Sequence, residues 1–206
     1  MSPAEITALA LAVFVLAVVP GPGVMATVAC TLASGLRPAV AVVAGIVSGD
    51  LVFLLLAIFG LSYVAEALGS LFLAVRIAGA AYLMWLGLRL IFAAGKPVME
   101  ANEVQHHSAR SHFLSGLAIT LGNPKVIVFY LSVLPAVLDL GSLAALDVLI
   151  TGLVVAGVLG GVMLGYALTA ERARVWFGTR RVAKQVRQGA GAILAGTGIL
   201  LLSKVR

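Results

Sequence analysis

Six long apolar stretches, joined by short polar or basic links, constrain this chain more than any motif in it. They run over Ile6–Ala33, Pro38–Gly60, Leu71–Ala94, Phe113–Ala136, Leu146–Leu168 and Gln188–Leu202. A membrane-crossing helix needs about 20 predominantly apolar residues, and in hydrocarbon it must satisfy its own backbone groups. The stretches therefore predict an all-α polytopic membrane protein with six transmembrane helices. Hydrophobic residues make up 62% of the chain and charged residues 11%, whereas a soluble domain carries about 25% charged residues. Met1–Glu5 holds an acid and no Lys or Arg, and the apolar run after it is too long for a cleavable signal. It reads as a retained first helix.

The net charge of +6 does not point to nucleic acid, because the basic residues sit between the apolar stretches and not along a helix face. They follow the sidedness of membrane topology instead. Arg37, Arg89, Lys96, Arg110, Arg172, Arg174, Arg180, Arg181, Lys184 and Arg187 fall on one side, ten in all. Arg76, Lys204 and Arg206 fall on the other, together with Asp139 and Asp147. Ten against three places the polar linkers in the cytoplasm and both termini outside. For a bacterial chain that means the inner membrane.

Two of the apolar stretches are interrupted. Pro20-Gly21-Pro22-Gly23 breaks the first, and Gly122-Asn123-Pro124-Lys125 breaks the fourth. Proline removes a backbone donor and clashes with the preceding turn, and glycine loosens the chain further. Such breaks survive in lipid only where the freed groups line a cavity or are buried in protein. Corresponding breaks in two halves of a chain point to a transporter's binding site. The third and sixth stretches also begin alike, with Gly79-Ala80-Ala81 and Gly191-Ala192-Ile193. Each half thus reads as a broken helix, a plain helix and a Gly-Ala-led helix. With three helices per half, the second half enters the membrane inverted. The expected organisation is a first repeat over 1–94, a cytoplasmic linker over 95–112 and a second repeat over 113–206.

Charge inside a bilayer is costly, which makes Asp50 and Lys125 the first functional candidates. Each lies about 12 residues into its helix, roughly 18 Å deep and near the midplane. They can pair structurally, or Asp50 can exchange protons or bind an amine while Lys125 meets a carboxylate. Arg89 is close enough to a helix end to snorkel. Tyr82, Trp85, Tyr130 and Tyr166 read first as packing or interface aromatics. His106, His107 and His112 match no metal-site spacing and read as a solvated loop. The Arg172–Arg187 segment reads as an amphipathic helix lying on anionic lipid. Cys30 is the single cysteine, so no disulfide closes within the chain, and it reads as a small packed residue. Gly45 and Gly49, and the glycines of the fifth stretch, allow close helix approach, including packing of the fifth helix against a second copy in a homo-oligomer.

With these residues in view, the chain resembles the lysine exporter (LysE/RhtB) family. The matching stretches are Val19-Pro20-Gly21-Pro22-Gly23, Gly45-Ile46-Val47-Ser48-Gly49-Asp50, Gly79-Ala80-Ala81-Tyr82-Leu83-Met84-Trp85-Leu86-Gly87 and Gly122-Asn123-Pro124-Lys125. The resemblance implies export of amino acids or close derivatives, driven by the proton motive force. Many family members place an acid or amide directly after Pro-Gly-Pro. This chain has Gly23 there, which leaves Asp50 as the acidic site. The expectation is a secondary transporter, not an enzyme, with no cofactor. Pro20, Gly21, Pro22, Gly23, Asn123, Pro124 and Lys125 would gate or bind, and Asp50 would couple transport to protons. An alternative of the same fold is a divalent-cation exporter, for which one acid and one cysteine are few ligands.

Overall fold

The computed structural model describes residues 1–60, 108–140 and 143–176, with isolated positions 77, 81, 84, 85, 88, 92, 188, 189, 192, 195, 196 and 199. The stretches Leu71–Ala94 and Gln188–Leu202, and the linker histidines His106 and His107, lie outside the described residues except at those isolated positions. So does the Gly-Ala start that the third and sixth stretches share, apart from Ala81 and Ala192.

Every described element is helical. The first stretch forms α1 (Pro3–Val18) and α2 (Pro22–Ser34), bent by 57° where Val19, Pro20 and Gly21 leave the helix. Ser2 starts α1 with a capping box: its hydroxyl accepts from Glu5 N at 3.3 Å, and its own N–H donates to Glu5 Oε2 at 2.6 Å. Gly35, at φ +90°, turns the chain sharply into α3 (Leu36–Ile58). At about 1.5 Å per residue, the 23 residues of α3 span the hydrocarbon in one unbroken helix.

The fourth stretch is built in pieces. It comprises α4 (Ala109–Leu121), α5 (Pro124–Val128), a π-helical turn over Phe129–Val133 and the short α6 (Leu134–Val137). Its two halves meet at 54° across Gly122 and Asn123. It starts four residues before the expected Phe113, so His112 belongs to the first turn of α4 and not to a solvated linker. His112 Nδ1 lies 3.8 Å from Cys30 Sγ. The fifth stretch also outruns its expected end. In α7 (Ala145–Trp176) the helix continues past Leu168 for two more turns. Arg172 and Arg174 therefore extend the spanning helix and do not open a separate surface helix. The remainder of that basic segment, 177–187, is outside the described residues.

Contacts fix the directions of these helices. α3 and α4 run side by side in the same sense, so close that a Cβ on Gly45 would meet Phe113 O at 1.9 Å and one on Gly116 would meet Val42 O at 2.0 Å. Gly49 opposes Thr120, whose hydroxyl donates to Ile46 O at 3.3 Å. Small residues make this the tightest seam of the fold, as the spacing of Gly45 and Gly49 suggested. α7 runs parallel to α1, tied by the Met1 ammonium to Asp147 Oδ1 (2.6 Å) at one end and by the Tyr166 hydroxyl near the other. It runs antiparallel to α3, with Gly152 beside Leu51 and Gly160 beside Val47. Among the described residues, no atom of another element lies within 4 Å of a Cβ position on Gly157, Gly161 or Gly165. The apolar core lies between α1, α3, the second half of the broken fourth stretch and α7, around Leu9, Val13, Phe53, Tyr130, Leu134 and Val155. By length and composition α3 and α7 can each cross a membrane alone, and each bent pair can form one further span.

Candidate functional site

The two breaks meet. Gly21 and Gly23 from the first, Asn123 and Lys125 from the second, and Asp50 of α3 line one cavity of about 20 Å³, closed off by Leu16, Val24, Ile46, Thr120, Val126, Leu159 and Met163. About 10–15 Å³ suffices for one water, whereas ligand pockets run to about 300–1,000 Å³. The cavity has room for a water and not for an amino acid, and in that sense the arrangement is closed to substrate. Of the residues singled out from the sequence, Pro20, Pro22 and Pro124 do not line the cavity. Their part is to make the bends that bring the lining residues there.

Each break is shaped by its local chemistry. Pro22 is the first residue of α2, where its missing N–H is not needed. Gly21 precedes it as an N-cap without a side chain, so the first N–H groups of α2 have no side-chain acceptor. At the second break Asn123 supplies the cap, its Oδ1 accepting from Lys125 N at 3.1 Å. Pro124 again occupies the first helical position.

Lys125 does not pair with Asp50. Both line the cavity, but the lysine ammonium donates to the backbone carbonyls of Leu16 and of Val19, the latter at 2.6 Å, at the frayed end of α1. Asp50, 1% exposed, is left with its Oδ1 unpartnered. Beside it is the fully buried hydroxyl of Tyr130, which has the Asp50 carboxyl as its polar neighbour. Tyr130 lies in the π-helical turn, stacked on Phe53 at 6.2 Å between centroids and edge-on to Phe129 at 5.2 Å. Phe53 is three residues after Asp50 on α3, so the ring lies along that face and its hydroxyl reaches the carboxyl. A buried polar group without a partner costs about 1–3 kcal/mol, so Asp50 is a costly residue to place here.

Two tyrosines were thus undervalued by sequence reasoning. Tyr130 carried no signal beyond its position after the second break. Tyr166 was one aromatic among several, yet its hydroxyl donates to Val18 O at 2.7 Å. Lys125 also borders an apolar groove of about 480 Å³ that runs between α1 and the second half of the broken fourth stretch.

The LysE type translocator family matches residues 14–205. An uncharacterised membrane protein of Synechocystis is 31% identical over 93% of this chain and 92% of its own length. A homoserine/homoserine lactone efflux protein of Salmonella typhimurium is 30% identical over 89% of both chains. A leucine efflux protein of Klebsiella pneumoniae is 31% identical over 64% of this chain and 61% of its own. No solved structure matches the chain.

Proposed function

The chain belongs to the LysE type translocator family, and from that premise we propose that it exports amino acids or close derivatives from the cytoplasm across the bacterial inner membrane. The observation that carries the reading is the convergence of both helix breaks, Asp50 and Lys125 on one closed cavity. Transport by alternating access needs such a place. It must be deep enough to be sealed from both sides and must contain backbone that can rearrange without unfolding a helix.

In this reading the substrate enters when α1–α2 and the broken fourth stretch swing apart at Pro20–Gly23 and at Asn123–Lys125. Asp50 is the coupling residue, because export against a gradient requires a group that gains and loses a proton during the cycle. Tyr130 stands beside that carboxyl and comes from the second half of the chain. The antiparallel course of α3 and α7, each following a broken helix, supports the inverted-repeat organisation. Efflux relatives named for homoserine and for leucine support amino-acid cargo, with polar and apolar side chains both represented.

The test is counterflow in proteoliposomes of the purified protein. Vesicles loaded with L-leucine, L-homoserine, L-lysine, Mg²⁺ or Mn²⁺ are diluted into traces of each labelled compound. Accumulation of an amino acid, with none of the metals, is expected. Metal exchange without amino-acid exchange would replace this reading with cation export.

A further inference from the structure

In an unbroken helix the N–H groups of residues 20, 22 and 23 would serve the carbonyls of residues 16, 18 and 19. Pro20 and Pro22 have no N–H, so the carbonyls of Leu16 and Val18 lose their partners by covalent necessity. The bend at Pro20–Gly21 carries Gly23 into α2 and frees Val19 O as well. These acceptors lie at the negative end of the α1 dipole, within an apolar span whose helix cannot serve them.

The protein fills them with side chains from other helices. The Lys125 ammonium takes the carbonyls of Leu16 and Val19, and the Tyr166 hydroxyl takes Val18 O at 2.7 Å. A primary ammonium has three donors and no acceptor, which suits a cluster made only of acceptors. Lys125 is in effect an alkylammonium ligand on a four-carbon tether, and its stem lies along the cavity that holds Asp50.

We propose that the carbonyls of Leu16 and Val19 form a binding site for a primary alkylammonium group, occupied in the closed arrangement by Lys125. The substrate's amino group takes the site over when Lys125 withdraws. Displaced, the lysine ammonium is free to meet the substrate's carboxylate, so opening and zwitterion binding become one exchange. This assignment of the substrate's two charged ends rests on the amino-acid export reading; the ammonium site itself does not. It selects substrates with a free primary amine over N-acylated or hydroxy-acid analogues.

The experiment replaces the tether and supplies the ligand in solution. Purified wild type and Lys125→Ala are melted in detergent with n-propylammonium chloride, or with tetramethylammonium chloride at equal ionic strength. The variant should melt below wild type. Propylammonium should raise its midpoint by about 2–4 °C, tetramethylammonium, which has no N–H donor, should not, and wild type should respond to neither. An equal response to both cations in the variant, no response, or the same gain in wild type would overturn the site. If Lys125→Ala does not accumulate, Lys125→Met keeps the apolar stem and takes its place in the same test. Failure of both variants to accumulate, unrelieved by propylammonium during extraction, also counts against it. No transport is measured, so a negative result leaves export standing. Equally, a wild type that exchanges no amino acid would remove the substrate without touching the propylammonium effect.

Discussion

At the scale of single residues, the site is a set of polar groups that the closed structure leaves unevenly satisfied. Lys125 is held by carbonyls, while the buried Asp50 carboxyl has the Tyr130 hydroxyl beside it and no cation bonded to it among the described residues. Asp50→Asn keeps the shape but cannot titrate. It is expected to abolish uphill export driven by a pH gradient while leaving counterflow, which needs no net proton movement, partly intact. Were Asp50 only a counter-charge, the loss would appear as folded yield, and Asp50→Asn with Lys125→Met would recover gradient-driven export. Tyr130→Phe removes a hydroxyl whose polar neighbour is Asp50 and keeps the ring packed on Phe53, so membrane abundance should hold. Transport should nevertheless fall by about tenfold if the hydroxyl serves Asp50 during the cycle, the worth of one hydrogen bond to a charged group. Unchanged transport would make Tyr130 a packing residue. Asp50 and Lys125 were legible in the sequence because charge in an apolar stretch is rarely idle. Tyr130 and Tyr166 were not, because aromatics at that depth usually pack, and their roles depend on where a π turn and a frayed helix end happen to lie.

Among the elements, the broken helices and the tight seam answer to different tests. Pro22→Ala restores an N–H that can return to Val18 O and compete with the Tyr166 hydroxyl; Pro124→Ala relaxes the second break in the same way. Both should lower transport with little change in membrane abundance, measured by immunoblot alongside counterflow. The α3–α4 seam should behave in the opposite way. Gly116→Val would push a side chain into Val42 O, where even a Cβ has only 2.0 Å, and neither backbone can yield without separating the helices. A loss of folded protein is expected before any specific loss of rate, seen as a broadened or early peak in size-exclusion chromatography. The breaks were plain in the sequence because proline and glycine act locally. The π turn was not, since nothing in Phe129-Tyr130-Leu131-Ser132-Val133 distinguishes it from ordinary helix. Nor was the continuation of α7 through Arg172 and Arg174, because charge reads as an end while the backbone needs none.

For the whole molecule, the question is how the helix directions sit in the membrane. α1 and α7 run one way, α3 and α4 the other, as six sequential crossings would require for the first, fifth, second and fourth. The Arg37, Arg110 and Arg174 positions therefore gather at one end of the bundle. Asp147 and the start of α1 gather at the other, and the Gly35 turn packs close to Arg174 Nη1. This separation of charge was readable from the sequence, since it depends only on counting Lys and Arg between apolar stretches. The lateral packing was not, because glycine seams and carbonyl–lysine bonds join residues more than 70 positions apart. On the charge rule the arginine-bearing end faces the cytoplasm. Ser2 and Ser108 are both exposed and lie at opposite ends, which makes them a matched pair of reporters. In a Cys30→Ala background, Ser2→Cys should react with a membrane-impermeant maleimide in intact cells, and Ser108→Cys only after the membrane is opened. The reverse pattern would invert the topology and show that the Lys and Arg count does not set the orientation of this chain. Labelling of both in intact cells would show that the bundle end at α4 is reached through an aqueous path, which the closed cavity of about 20 Å³ does not provide.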